Sequence, residues 1–181
     1  MYVNDAWLLY EQLEQNKNCE VNIYILNSLV YLFSCAIKTH ELEAKVLPQF
    51  ERHRIAHDVN TYQHLTKLYL NLNELDKVVE LYYKSIEAGH TPTWRLMTNF
   101  LVASIKKTDP NLITEALQKF SELEMSPKPQ LLSKLSQVPN MPDKLYMILK
   151  TKFMPFGPLK QQVRTFEKPK NRPSKGSANV G

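Results

Sequence analysis

Glycine is scarce in this chain, with only 4 in 181 residues. That shortage argues against a β architecture, whose hairpin turns lean on Gly. Cysteine is scarcer still. Cys19 and Cys35 alone make neither a disulfide framework nor a metal-ligand set, and two isolated thiols fit a reducing compartment. No apolar run reaches the ~18 residues of a membrane-spanning helix. The nearest, 21–37, is interrupted by Asn22, Asn27, Ser28 and Ser34. The first residues carry Asp5, Glu11, Glu14 and Glu20 before any Arg, unlike a secretory signal or a transit peptide.

Catalytic signatures are missing as well. The sequence has no Gly-rich phosphate loop, and no Ser/His/Asp set stands out. A nucleobase-deaminase pattern of His-x-Glu with paired Cys is absent. His53 and His57 stand four apart, a spacing that can place two metal ligands on one helix face, but no Glu follows His53 and no third ligand lies near. The chain is therefore expected to act without catalysis, cofactor or metal.

Charge is present but unevenly placed. The formal net charge is +5. Residues 156–181 hold Lys160, Arg164, Lys168, Lys170, Arg172 and Lys175 against Glu167 alone, which accounts for the whole excess. Residues 1–155 are neutral in sum, so the nucleic-acid argument from basicity applies to the tail and not to the body. A breaker run, Met154-Pro155-Phe156-Gly157-Pro158, opens that tail, and its Lys, Arg, Pro, Ser and Asn content predicts disorder. Such a tail either binds phosphates along an RNA or is a solvated end.

Up to about Phe153 the apolar residues follow a helical period. Tyr62, Leu65, Leu68, Tyr69 and Leu72 make one stripe, and Leu75, Val78, Val79, Tyr82 and Ile86 make the next. Only Asn73-Glu74 separates them, with Asn73 placed to cap the second helix and Gly89 to stop it. The same plan recurs over Met97–Ile105 and Leu112–Leu123, with Asp109-Pro110 reading as an N-cap followed by Pro at the first helical position. It recurs again over Leu26–Phe33 and Leu42–Phe50, where Pro48 predicts a kink or an early stop. Ala6, Leu9, Tyr10 and Leu13 resemble a second helix without its partner. Paired helices at a period near 35 residues predict an all-α solenoid, each unit burying its stripe on the next.

The residues His57-Asp58-Val59-Asn60-Thr61-Tyr62, then Leu65, Leu68-Tyr69, Asn73, Val78, Leu81-Tyr82, Ile86 and Gly89-His90-Thr91-Pro92, resemble a pentatricopeptide repeat. The resemblance covers about 6–130. Gln63 stands where the family usually has Asn, Asn73 for Gly, Val78 for Ala and Thr93 for Asp. The Trp, Leu-Gly, Tyr and Ala-x-x-x-Phe spacing of tetratricopeptide repeats is absent. The resulting organisation is a repeat array over 1–130 that starts inside a unit, a helical cap over 131–153 and a disordered basic tail over 154–181. A start inside a unit predicts a C-terminal piece of a longer member.

The resemblance implies single-stranded RNA binding, one nucleotide per unit, read by a side chain of the first helix together with the last residue of the unit. Carried over, these pairs are Asn27 with Asp58, resembling a pyrimidine reader, Gln63 with Thr93, and Thr98 with Gln130. Asn60 and Arg95 would flank the bases. The tail cations Lys160, Arg164, Lys168, Lys170, Arg172 and Lys175 would add phosphate contacts. The implied setting is a mitochondrion or other organelle, in RNA processing, translation or ribosome structure, with single-stranded RNA or rRNA and proteins of a ribonucleoprotein as partners. The competing reading, motivated by the neutral body and the unusual pairs, is a protein–protein scaffold without RNA contact.

Overall fold

The computed structural model describes residues 2–153 apart from 17, 136, 137 and 139–141. The tail over 154–181, with its six cations, lies outside the described residues. Among the described residues there are helices and no strand. They are α1 (Val3–Gln15), α2 (Ile23–Cys35), α3 (residues 39–52), α4 (Val59–Asn71), α5 (Leu75–Glu87), α6 (Trp94–Lys106), α7 (Pro110–Glu122), α8 (Pro129–Leu135) and α9 (Asp143–Ile148, continued by a π-helical turn Leu149–Phe153).

Three helix pairs, α2–α3, α4–α5 and α6–α7, form the array, and each first helix packs directly on the first helix of the next pair. The second helices approach one another far less, so the first helices line the inner, concave side. The register is set by three N-caps. Asn22 accepts from Tyr24 and Ile25 N–H, Asp58 from Thr61 N–H, and Thr93 from Leu96 N–H. Each satisfies donors that a helix start leaves orphaned.

Helix ends repeat the same device. Ile37, Asn73 and Thr108 end the first helices with positive φ, and Arg54, Gly89 and Glu124 end the second helices likewise. Each is followed by a backbone N–H that reaches back over the last turn, as in Lys38 N–H to Phe33 O at 3.0 Å and Glu74 N–H to Tyr69 O at 2.9 Å. Asn73 is therefore a C-terminal stop for α4 and not the expected cap of α5, whose N-cap Glu74 makes no side-chain cap bond. The low glycine content shows here, since five of these six left-handed positions carry another residue.

Ile37 (φ 55°) and Thr108 (φ 53°) are β-branched, which the left-handed region tolerates worst. Ile37→Gly and Thr108→Gly are each expected to stabilise the protein by about 1 kcal/mol, raising Tm by about 2–4 °C in a thermal melt. Gly89→Ala is expected to do the reverse. Its φ is 81° and nothing lies within 4 Å of an added Cβ, so the cost is conformational alone.

Pro48 does not stop its helix. A π-helical turn, Leu42–Val46, precedes it, and α-helix resumes over Leu47–Arg52. A proline ring clashes with the carbonyl four residues back in an α-helix, and the wider π turn removes that clash.

Two cores run along the array. One gathers Leu26, Val30, Phe33, Leu42, Val46, Phe50, Leu65 and Leu68. The other gathers Tyr82, Met97, Phe100, Ile113, Leu117 and Phe120, and extends to Leu132, Leu145 and Leu149 of the terminal helices. Tyr82 and Phe100 stack face to face at 3.9 Å and 4° between the second and third pairs. On α1 the residues turned inward are Val3 and Tyr10, with Trp7 edge-on to Phe33. Leu9, expected on that face, is instead 65% exposed and Leu8 56%.

Candidate nucleic-acid interface

Successive caps at Asn22, Asp58 and Thr93 bring equivalent positions of α2, α4 and α6 side by side. Two of the three residue pairs expected to read bases are in contact. Asn27 Nδ2 donates to Asp58 Oδ1 at 3.0 Å, and Thr93 Oγ1 donates to Gln63 Oε1 at 2.9 Å. The two are not equivalent in what they leave free.

The first pair is closed in on itself. Asn27 is only 8% exposed, and its Oδ1 accepts from Thr61 Oγ1 at 2.6 Å. Asp58 Oδ1 also accepts from Thr61 N–H at 2.8 Å, completing the capping box of α4. Burial pushes the Asp58 carboxyl up, but hydrogen bonds from Thr61 N–H, Asn27, Thr61 Oγ1 and Asn60 together hold it below the usual carboxylate range. A depressed folded value means stability that is present above the unfolded carboxyl's pH of about 4 and lost as pH falls through the folded value. Asp58→Asn keeps a competent cap but cannot titrate. Acid unfolding followed by circular dichroism is expected to be less steep below pH of about 4 in that variant than in the wild type.

The second pair spends only its acceptor, so the Gln63 amide group remains a donor at the groove. The third does not form. The residue equivalent to Asp58 and Thr93 is Lys128, whose carbonyl accepts from Leu132 N–H at 3.1 Å as theirs do from Tyr62 and Met97. Gln130 sits two residues into α8, and Thr98 Oγ1 donates to Trp94 O at 2.8 Å. Lys128 follows Thr93 by 35 residues, as Thr93 follows Asp58, so the unit keeps its period and Gln130 lies two residues past the equivalent position.

Charge separates by helix. The first helices α2, α4 and α6 contain Lys67, Arg95 and Lys106 and no Asp or Glu. The helices α1, α3, α5 and α7 carry eleven carboxylates against five Lys and Arg. The outer cations are largely paired, as in Lys84–Glu80, Lys119–Glu122 and Arg52–Glu14. Lys107 pairs with Asp76 of the preceding unit, and Lys77 with Glu43 at 3.5 Å. Among the described residues neither Lys67, Arg95 nor Lys106 pairs with a carboxylate, although Lys106 Nζ donates to Asn73 Oδ1 at 3.2 Å. A neutral sum thus hides a polarised body.

A groove of about 280 Å³ opens on this inner face between α2, α4 and α6, lined among others by Tyr31, Gln63, His64, Lys67, Arg95 and Thr98. Of the residues expected to flank bases, Arg95 lines it, while Asn60 is exposed outside it and its amide leans on Asp58 Oδ2 at 3.4 Å. The equivalent position on α2 is Tyr24, 77% exposed. Burial lowers the His64 pKa, Asp58 opposes that shift and Arg95 adds to it, so the site favours the neutral imidazole. Tyr24, Tyr31, His64, Lys67 and Lys106 were not among the expected contacts. Summing charge helix by helix, not over the whole body, would have found the cations.

His53 and His57 serve packing. His53 Nε2 contacts Glu14 Oε1 and the Tyr10 hydroxyl, each at 3.1 Å. The His57 ring meets Phe50 edge-on at 4.5 Å. No group of His, Cys, Asp and Glu among the described residues could hold a metal ion.

No family model and no curated protein sequence matches the chain. Solved structures do. The pentatricopeptide domain of Arabidopsis thaliana protein-only RNase P 1, in complex with tRNA, superposes with a TM-score of 0.65 at 18% identity, over 82% of this chain and 79% of that one. Nuclear proteinaceous RNase P 2 from A. thaliana does so with a TM-score of 0.62 at 14% identity, over 81% of this chain and 34% of that one. The fold is the pentatricopeptide-type helical repeat.

Proposed function

We propose that this pentatricopeptide-type array binds single-stranded RNA along its first-helix face, by contact alone and without catalysis. The observation that carries the reading is that the first helices hold no Asp or Glu within their spans, and their Lys67, Arg95 and Lys106 have no carboxylate partner. Phosphates supply the missing anions, and phosphate contacts dominate nucleic-acid affinity. The structural relative that holds tRNA supports the same use of the fold. Only the Gln63–Thr93 position keeps a free donor for a base edge, so base reading by these units is sparse and backbone contact predominates.

The setting we propose is a mitochondrion, in RNA processing, translation or the ribosome, with rRNA and ribonucleoprotein components as partners. Its support is the family resemblance. The basic tail would add phosphate contacts through Lys160, Arg164, Lys168, Lys170, Arg172 and Lys175. The scaffold reading draws on one observation, the exposed Leu8 and Leu9 of α1, an apolar face suited to a protein.

Fluorescence anisotropy with a labelled single-stranded RNA at increasing salt separates the two. RNA binding is expected to weaken steeply with salt, and deletion of residues 157–181 is expected to flatten the dependence without abolishing binding. Binding that disappears with the tail would remove the first-helix face from the account. Absence of binding at low salt would leave the scaffold reading.

A further inference from the structure

Two rings on the inner face are not used by the residue pairs above. Tyr31 of α2 and His64 of α4 approach with ring centroids 5.2 Å apart at 58°. Both line the groove, and Tyr31 is 51% exposed, so this is no core contact. Tyr31 lies one helical turn beyond Asn27, and His64 lies beside Gln63, so both are offset from the positions where Asp58 and Thr93 meet their partners. Lys67 and Arg95 border the rings from α4 and α6, and neither has a carboxylate partner.

We propose that the Tyr31–His64 pair is a stacking shelf for one unpaired nucleobase, whose flanking phosphates are held by Lys67 and Arg95. The inference rests on the RNA-binding reading above. A nucleotide is the ligand class that offers both a flat π face and an anion, and this groove presents rings and cations with no acid. A peptide aromatic would satisfy the rings and leave the cations unanswered. Stacking tolerates any base, since every base has a π face. A duplex cannot use the shelf, because its bases are already stacked and paired.

The test compares labelled single-stranded oligoadenylate, an abasic oligomer of equal length and charge, and a blunt duplex RNA, with the full chain. The wild type is expected to prefer oligoadenylate over both of the others. Tyr31→Ala is expected to weaken oligoadenylate binding about five- to a hundredfold while leaving the abasic oligomer and the salt slope unchanged, and Tyr31→Phe is expected to retain binding. His64→Ala provides a second variant, and an upfield shift of the His64 ring protons on adding oligoadenylate to the wild type provides a readout that needs no variant. If oligoadenylate binds but Tyr31→Ala binds it as the wild type does and the His64 signals stay put, the shelf is overturned and the broader reading stands. If no RNA binds at low salt, both fall together.

Discussion

Phe100→Ala is expected to destabilise the protein by about 3–5 kcal/mol, the usual cost of emptying a fully buried aromatic site. Phe100 has no exposed surface and stacks on Tyr82, with Tyr83 edge-on at 5.9 Å. Burial is the chief cause that pushes the Tyr82 phenol up to about 12. The effect should extend beyond the midpoint. In a repeat array each unit is held by its neighbours, so weakening the junction between α5 and α6 should uncouple the third pair from the second. Urea unfolding of Phe100→Ala is expected to broaden or split into two transitions, where the wild type gives one. Tyr24→Ala, on an exposed ring, serves as the control and is expected to shift stability by less than about 0.5 kcal/mol.

The largest effect on binding is expected from removing all three inner cations. Each phosphate contact to a single strand contributes about 0.7 to the slope of log K against log salt, so Lys67→Ala, Arg95→Ala and Lys106→Ala together should lower that slope by about 2. At about 50 mM salt the same three contacts contribute roughly a hundred- to a thousandfold in affinity. The matched control removes three outer cations, Lys77, Lys84 and Lys119, each already paired with a carboxylate. That variant is expected to bind RNA as the wild type does, or slightly less well, since its outer face becomes more acidic. Circular dichroism would confirm that both variants keep their helices.

Much of the architecture could be read from residue order. The stripes Tyr62–Leu72 and Leu75–Ile86 carry a 3.6-residue period, and Asp109-Pro110 and Gly89 mark a start and a stop whose physics is local. What could not be read was decided by groups far apart in the chain. Asn73 looked like a cap, but the turn to α5 needs a left-handed residue there, and its side chain accepts from Lys106 of the following unit. Pro48 looked like a breaker, and only the π turn before it explains why the helix continues. Gln130 presupposes an insertion of two residues, while the unit keeps the 35-residue spacing from Asp58 to Thr93 and so places Lys128 at the equivalent position.

The interface was less legible than the fold. Asn27 and Asp58 do meet, but their contact closes a network with Thr61 that leaves little of Asn27 for a base. A zero net charge over the body suggested little attraction for RNA. It concealed an arrangement in which carboxylates are confined to one layer of helices and unpaired cations to the other, and periodicity alone does not say which helices share a layer.

Amide chemical-shift mapping of the full chain, titrated with a short single-stranded RNA at low salt, tests the central claim most directly. Shifts confined to α2, α4 and α6, strongest around His64, Lys67 and Arg95, would support binding on the first-helix face. Shifts concentrated on α3, α5 and α7, or on the exposed side of α1, with α2, α4 and α6 unmoved, would contradict it.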